Sequence, residues 1–244
     1  MDIFFQQYFD LDLMRDNFSY VLEGFWLTIQ LSIVSAVLAL IWGLVLALLR
    51  AAPGRAMMPV RGLAITYIDV LRGIPLLLVI LLIDGSLPVL DVFPLWLRQP
   101  DFLGKPEIFW YGVMAITLTY GAYYAEVYRA GLDAVPYGQM EAARSLGMSY
   151  AGAMRHVIVP QAIRKVIPPM LNDFIALMKD TSLVGVIALV EVVKAGREIQ
   201  AESFNSSALT LGALMFIVVT IPLARLVDRL IARQQLALRR AAPQ

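Results

Sequence analysis

The sequence contains no cysteine and a single histidine, His156, in 244 residues. Without cysteine the chain can form neither a disulfide nor a catalytic thiolate, and its redox compartment stays undetermined. One histidine cannot build a His-based metal cluster. It lies in a basic loop, where a solvent-facing or partner-facing side chain is favoured over a catalytic base. No Ser-His-Asp arrangement is assignable, so we predict no catalytic residue and no metal site in this chain.

Nucleotide-binding loops are missing as well. Gly104-Lys105 is the only Gly-Lys pair, and Pro106 follows it where a phosphate-binding loop needs Ser or Thr. The glycine pattern of dinucleotide-binding folds is also absent. The basic residues follow loop positions in a membrane-like chain and give no reason to expect a nucleic-acid partner. If the protein moves a solute uphill, the energy therefore comes from an ion gradient or from another polypeptide.

Charge is scarce, and apolar residues are abundant. Charged residues make up 16% of the chain and hydrophobic residues 59%, with a mean hydropathy of +0.71. Soluble domains are nearer to half apolar and a quarter charged. We therefore predict an all-α integral membrane protein, because helices satisfy their own backbone hydrogen bonds in lipid. The length suits about five or six spans of ~20 residues each.

The N-terminal segment, 1–19, combines aromatic residues with carboxylates. This mixture suits a short helix lying at the membrane interface, and an unstructured acidic terminus is an equally good interpretation. The acidic start excludes a secretory signal peptide, which begins with positive charge.

The first span is predicted at about 24–49, since no charge occurs from Phe25 to Leu49. Small residues recur there at a spacing of four, at Ser35, Ala39, Gly43 and Ala47. Small residues let the backbones of two membrane helices approach closely, so this face is predicted to contact another helix. Chance in an alanine-rich helix is the alternative.

The second span, predicted at about 59–83, contains Asp69 and Arg72 and then Gly73-Ile74-Pro75. Intramembrane charges normally face the bundle interior or water, and residues three apart on a helix can pair. Pro75 has no backbone N–H, so we predict a broken helix of the kind that transporters use to contact polar solutes. In the alternative, the hydrophobic span begins after Arg72, which then lies at the interface.

Three further spans are predicted at about 108–130, 164–182 and 203–225. Between the last two, Thr181 or Ser182 is predicted to cap a second helical piece that reaches about residue 199.

Lys and Arg in short loops predict the orientation. The loops 50–61 and 131–165 and the C-terminal tail are basic, whereas the N-terminus and 84–107 are mixed or acidic. Five spans, with the N-terminus outside and the C-terminus in the cytoplasm, satisfy this distribution. A sixth span made from 181–199 would place the basic tail outside.

The long basic segment from 131 to 165 contains the signals of a short helix. Pro136 suits a first helical turn, Glu141 lies near the positive end, and Gly147 can supply a left-handed C-cap. Ala142 and Ala143 would give this helix a flat surface that can fit a cleft in another protein. A linker helix without a partner satisfies the same physics.

Several motifs resemble one family. The segment EAARSLG followed by IVPQA resembles the EAA loop of the ABC importer permeases, the binding-protein-dependent inner-membrane family. The runs LRGIPL, GAYYAEVYR, VPYGQMEAA and KDTSL resemble the signature of its polar amino acid permeases. Together these runs cover most of 24–228. The departures are Ile74, where Thr is frequent, and a long outer loop at 84–107.

The resemblance implies a type I importer permease in a bacterial inner membrane. Its permease domain would cover 20–230, with a cytoplasmic tail at 231–244. Members form a dimer of identical or paralogous membrane subunits on two cytoplasmic ATPase subunits, and an extracytoplasmic binding protein delivers a small polar amino acid. The residues of the EAA helix that would couple to the ATPase are Glu141, Ala142, Ala143 and Gly147. No cofactor is expected in this chain, since ATP and Mg²⁺ would bind the partner ATPase.

A solute path is predicted from polar residues near helix breaks or the middle of the membrane. These candidates are Arg72, Asn172, Lys179, Asp180, Thr181 and Ser182. Structural pairing between helices is the alternative role for each of them. Two other functions stay open from the residues alone, namely a gradient-driven secondary amino acid transporter and a structural or receptor-like membrane subunit.

Overall fold

The computed structural model describes residues 2–241, with side chains from 3 to 233, so most of the predicted tail lies outside the described side chains. The described chain consists of helices and their connecting loops and contains no strand. Its α-helices are α1 (Asp2–Tyr8), α2 (Leu11–Asp16), α3 (Phe18–Ala51), α4 (Met58–Gly73), α5 (Leu76–Ser86), α6 (Leu95–Arg98), α7 (Glu107–Asp133), α8 (Tyr137–Ser145), α9 (Tyr150–Ala153), α10 (Val159–Asp180), α11 (Val192–Ser203) and α12 (Ser207–Ala241).

The centre of the fold is the contact between α3 and α7. A Cβ built on Gly43 would lie 2.8 Å from the backbone oxygen of Gly121, so the two backbones are almost in contact there. Ala39 and Ser35, one and two turns earlier on the same face, are fully buried. The predicted helix-contacting face of small residues is therefore confirmed.

Two helices of the described chain, α3 and α12, are long and apolar enough to cross a membrane. A third candidate span is the pair α4 and α5, which passes the same test only when the two are taken together. The other long helices are less apolar, because α7 with 27 residues contains five tyrosines and α10 with 22 contains five charged residues. The protein is thus an all-helical membrane protein with two or three strongly apolar spans.

The predicted break at Pro75 is confirmed. The helical segments on its two sides, 55–73 and 76–89, meet at 106°. The last bond of α4 runs from the Ile74 N–H to the Val70 carbonyl at 3.1 Å, and Pro75, which has no N–H to continue it, becomes the N-cap of α5.

Asp69 and Arg72 do not form the pair that their spacing allows. Arg72 points to α7, where its Nη1 lies 3.9 Å from Glu126 Oε1 and its guanidinium lies 5.7 Å from the Tyr123 ring centroid. Asp69 is exposed and has no ion pair within the described part of the chain. Arg72 therefore interacts with Glu126 and Tyr123 of the neighbouring helix and not with Asp69 of its own helix.

The segment after α7 is helical over most of its length. Helix α8 ends in a Schellman motif, in which the Gly147 N–H bonds Arg144 O at 3.0 Å and the Met148 N–H bonds Ala143 O at 3.2 Å. Gly147 has φ +82°, so the predicted left-handed cap is confirmed. Pro136 lies one step before the helix, at its N-cap.

A second helix runs without interruption from α9 into α10, so helical structure begins well before residue 164. Ser149 caps its start by accepting the Gly152 N–H at 3.0 Å. A π-helical turn, Met154–Ile158, joins the two parts and ends two residues before Pro160. Proline has no N–H for the regular bond, and a π turn is one way in which a helix absorbs this loss.

The cap predicted at Thr181 or Ser182 is also wrong. Their hydroxyls donate back to Met178 O and Lys179 O, each at 2.7 Å, within a 3₁₀ turn at Thr181–Ile187. The next helix, α11, starts only after Glu191, whose two carboxylate oxygens accept the N–H groups of the second and third following residues at 2.8 Å.

The N-terminal helices are tied to the loop between α11 and α12. Gln7 Nε2 donates to Phe204 O at 2.9 Å, Asn205 Nδ2 donates to Gln6 O at 2.9 Å, and the Asp10 N–H donates to Ser207 Oγ at 2.8 Å. The start of the chain is therefore ordered helix and not an unstructured terminus.

Candidate functional site

A cavity of about 470 Å³ lies at the break between α4 and α5. It is closed by α7 on one side and by α10 on the other. Its walls are formed by Arg72, Gly73, Ile74, Pro75, Leu76, Thr119, Tyr120, Tyr123, Asp173, Ala176 and Asp180. The break thus brings one cation and two carboxylates to a single polar space within an apolar bundle.

The positive side of the cavity is formed by Arg72 and the start of α5. Arg72 is the last but one residue of α4, and its side chain is 41% exposed. Leu76, the first residue of α5, also lines the cavity. The first N–H groups of a helix have no partner within it and carry the positive end of the helix dipole. A carboxylate in this cavity would meet both a guanidinium and free N–H groups.

The negative side is formed by α10. Asp180 ends the helix and accepts a hydrogen bond from the Tyr120 hydroxyl at 2.8 Å, which fixes its carboxylate against α7. Asp173 lies two turns earlier on the same helix face and is partly buried. Two carboxylates against one arginine leave this cavity able to accept an ammonium group as well as a carboxylate.

Four cavity residues were missed by sequence reasoning, namely Thr119, Tyr120, Tyr123 and Asp173. The Thr119 hydroxyl is buried without a hydrogen-bond partner within the described chain, so it is available to a bound solute. The signal in the sequence was the spacing of Thr119, Tyr123 and Glu126, which places polar groups on one face of an otherwise apolar helix.

The predicted path residues separate into two groups. Arg72 and Asp180 line the cavity. Asn172 and Lys179 are exposed on other faces of α10, and Thr181 is buried with its hydroxyl bonded to the helix end. Ser182 lines a different, smaller cavity of about 230 Å³.

That smaller cavity includes the buried carboxylate of Glu191, together with Lys194 and Arg197. Burial raises the pKa of Glu191 to about 7, against two backbone N–H bonds that lower it. Glu191 holds the start of α11 and therefore acts in structure. In the described part of the chain no group of three or more acidic, histidine or cysteine side chains could hold a metal ion.

A cluster of ions lies next to the cavity, around Glu126 of α7. Arg50, at the end of α3, pairs with Oε1 of this carboxylate. Arg129 binds Oε2 through Nε at 2.9 Å and Nη2 at 2.8 Å, and it also pairs with Asp133 at 2.7 Å. Arg72 is the third and most distant cation, at 3.9 Å. The cluster connects α3, α4 and α7 at one level of the bundle.

A second candidate site is the surface around α8. Glu141, Ala142 and Gly147 are exposed, as a docking role requires. Ala143 is only 4% exposed, so the predicted flat surface of two alanines is half wrong. Its methyl group faces inward because the helix packs over a small apolar cluster formed by Val135, Ile158, Ala162, Met140, Met154 and Val157.

Large apolar side chains at this surface were missed by sequence reasoning. Tyr137 is 78% exposed, Leu146 84% and Tyr150 64%. They flank the exposed residues of α8 at both ends. Exposed apolar side chains on both sides of one short helix can serve as a contact surface for another protein.

The chain is similar in sequence to known membrane transport proteins. Residues 39–235 match the family described as binding-protein-dependent transport system inner membrane component. The probable glutamine ABC transporter permease protein GlnM of Bacillus subtilis is 34% identical over 221 residues, 88% of this chain and 93% of that protein. The probable glutamine ABC transporter permease protein GlnP of the same organism is 32% identical over 90% of this chain and 96% of its own length.

A crystal structure of an amino acid ABC transporter with histidines has a similar fold. Its matching chain superposes with a TM-score of 0.78 at 32% identity, and the match covers 90% of this chain and 96% of that chain.

Proposed function

Because the chain belongs to the family of binding-protein-dependent transport system inner membrane components, we propose that it is the permease subunit of an ATP-driven amino acid importer. The observation that carries the proposal is the cavity at the helix break, which places Arg72 opposite Asp173 and Asp180. An amino acid carries a carboxylate and an ammonium on one carbon, and this cavity offers a partner to each.

In the proposed pose the α-carboxylate of the solute lies between the Arg72 guanidinium and the first N–H groups of α5. Charge-assisted hydrogen bonds of this kind are the stronger ones, and half-helix N-termini serve the same purpose in other transporters. The ammonium group would lie against Asp173 and Asp180. The Thr119 hydroxyl, buried without a partner within the described chain, would bind whichever end lies near it.

Energy would come from separate subunits. No phosphate-binding loop occurs in this sequence, so ATP and Mg²⁺ are proposed to bind a cytoplasmic ATPase that docks on the α8 surface. Similarity to two glutamine permeases of one organism supports assembly with a second permease subunit, either a copy or a paralogue. An extracytoplasmic binding protein would deliver the solute, as the family description implies.

The proposed topology has five spans in a bacterial inner membrane. The basic loop 50–61 and the segment 131–165 would then face the cytoplasm, and the N-terminus and 84–107 would face outward. The two strongly apolar helices and the bent pair supply up to three of these spans, and the lengths of α7 and α10 allow two more.

Uptake measurements on the complete transporter, reconstituted with its ATPase and binding protein in vesicles, test the proposal. The solutes are radiolabelled glutamine, glutamate and arginine. We expect Arg72→Ala and Asp180→Ala each to lower uptake of the transported amino acid at least tenfold. The first leaves the solute's carboxylate without a cation in a protein interior, and the second removes one of the two carboxylates that face its ammonium group.

Asn172→Ala is the matched control, since this polar residue of α10 is exposed away from the cavity. Wild-type uptake in both cavity variants would show that Arg72 and Asp180 only join helices. Uptake without the ATPase subunit would indicate a gradient-driven transporter instead.

A further inference from the structure

Glu126 occupies a position that the transport function does not by itself explain. Its carboxylate is 15% exposed and lies among Arg50, Arg72 and Arg129, which come from three different helices. Three cations around one carboxylate exceed what is needed to neutralise it. One of the three is also a wall of the solute cavity.

The three arginines are held unequally. Arg50 is in direct contact with Oε1, and Arg129 holds Oε2 by two bonds at 2.8 and 2.9 Å. Arg72 reaches Oε1 only at 3.9 Å, beyond hydrogen-bond distance, and shares that oxygen with Arg50. The weakly bound cation of the cluster is therefore the one that can leave it.

The surroundings of Arg72 allow such a change of partner. Its guanidinium is 41% exposed and lies over the Tyr123 ring at 5.7 Å, a contact that a planar cation keeps as it slides or turns. Tyr123 and Arg72 both line the cavity, whereas Glu126 does not. A carboxylate arriving in the cavity approaches the side of Arg72 that Glu126 leaves free.

We propose that Glu126 is a positioning residue that competes with the solute's α-carboxylate for Arg72. It holds the guanidinium when the cavity is empty, and it releases the guanidinium to the carboxylate of the bound amino acid. Arg50 and Arg129 keep Glu126 charged and in place while Arg72 changes partner. The inference rests on the proposed function, because it requires Arg72 to be the carboxylate site.

The proposal predicts an effect opposite to that of a purely structural ion pair. Removing the competing charge frees Arg72, so Glu126→Gln should bind the solute more tightly. The loss of a structural residue would weaken binding or leave it unchanged. Arg50 shares Oε1 of Glu126 with Arg72. Without Arg50, Glu126 should hold Arg72 more firmly, so Arg50→Gln should bind the solute more weakly.

The test measures equilibrium affinity of the purified complete transporter in detergent. The probes are glutamine, glutamate and arginine. The amines that lack the α-carboxylate are used for glutamine and arginine only, because that of glutamate keeps its side-chain carboxylate. We expect Glu126→Gln to raise affinity for the amino acid that binds by about two- to fivefold, the range of a partly exposed ion pair. Affinity for the corresponding amine should not change, since it has no carboxylate to compete for Arg72.

Asp133→Asn is the matched control, because Asp133 pairs with Arg129 alone. It should leave both affinities as in the wild type. An unchanged or lower affinity in Glu126→Gln overturns the inference. If Glu126→Gln does not fold, Arg50→Gln decides. It should lower affinity for the amino acid but not for the amine. An unchanged ratio of these two affinities overturns the inference.

Arg72→Ala distinguishes a failure of the competition between Glu126 and the solute from a failure of the proposed function. If it preserves the preference for the amino acid over its amine, the cavity is not the carboxylate site and both proposals fall. If it removes that preference while Glu126→Gln changes nothing, only the competition is wrong.

Discussion

Helices α3 and α7 come closest to each other at Gly43. They can do so because glycine has a hydrogen atom where every other residue has a Cβ. A methyl group there would lie 2.8 Å from Gly121 O and 2.8 Å from Tyr124 Cβ, and both are held by the helix backbone. Gly121 in turn lies against the indole of Trp42, whose Nε1 donates to the Tyr67 hydroxyl at 2.9 Å. The packing of α3, α4 and α7 therefore depends on a pair of glycines, because a larger residue at Gly43 would meet the backbone of α7 and one at Gly121 would displace the Trp42 side chain.

Gly43→Val should consequently lower the apparent melting temperature of the purified protein, by an amount corresponding to about 1–3 kcal/mol of overpacking. Gly62→Val is the control, because a Cβ at Gly62 has no atom within 4 Å. Thermal unfolding in detergent checks both variants. Equal melting temperatures for the two would contradict the close packing.

Among the helices, α8 is short and is held both by its C-terminal cap and by buried side chains. It is fixed at one end by the Schellman bonds of Gly147, it contributes Met140 to the apolar cluster, and its Ala143 is buried. Its exposed face and the neighbouring Leu146 and Tyr150 are left uncovered. A rigid helix with an apolar rim can transmit displacement of a partner to α7 and α10.

Gly147→Asp should uncouple ATP hydrolysis from uptake while leaving the subunit inserted. The substitution strains a backbone with φ +82° and places a charge on the face proposed to meet the ATPase. ATPase activity and uptake of the reconstituted transporter, measured in parallel, check this expectation.

Gly54→Asp controls for backbone strain, because Gly54 has φ +90° and an equally open environment. It should transport as the wild type does. Wild-type coupling in Gly147→Asp would remove α8 from the ATPase contact.

The elements also show what the sequence could and could not predict. Helical class, the break at Pro75, the small-residue face of α3 and the cap at Gly147 follow from local chemistry and were predicted correctly. The partner of Arg72 was not, because the choice between Asp69 and Glu126 depends on how α4 turns against α7. Only part of the cavity was predicted. The spacing of Thr119 and Tyr123 indicates a polar face on α7, but which elements this face meets depends on how α10 packs.

At the scale of the whole molecule, the proposed five-span topology places charged segments on defined sides. The absence of cysteine makes every introduced thiol unique in the chain. Exposed positions are available in the outer loop, in the long basic segment and near the end of the last helix, at Asp101, Arg155 and Arg229.

Asp101→Cys should react with a membrane-impermeant maleimide in intact spheroplasts. Arg155→Cys and Arg229→Cys should react only after the membrane is permeabilised. Gel shifts of the labelled chain read out each position. Labelling of the Arg229→Cys variant from outside would indicate a sixth span, and labelling of Arg155→Cys from outside would indicate the reverse orientation.

The contacts of α1 with the loop before α12 have a consequence for how the chain is made. Gln7 and its partner Phe204 are 197 residues apart in sequence, as are Asp10 and Ser207. At roughly 5–20 residues per second, the ribosome completes the second partner about 10–40 s after the first. During biosynthesis the first helices therefore wait without their native partners while the intervening spans insert. Docking of the N-terminal helices is thus among the last steps of assembly, because it requires the start of α12 to be in place.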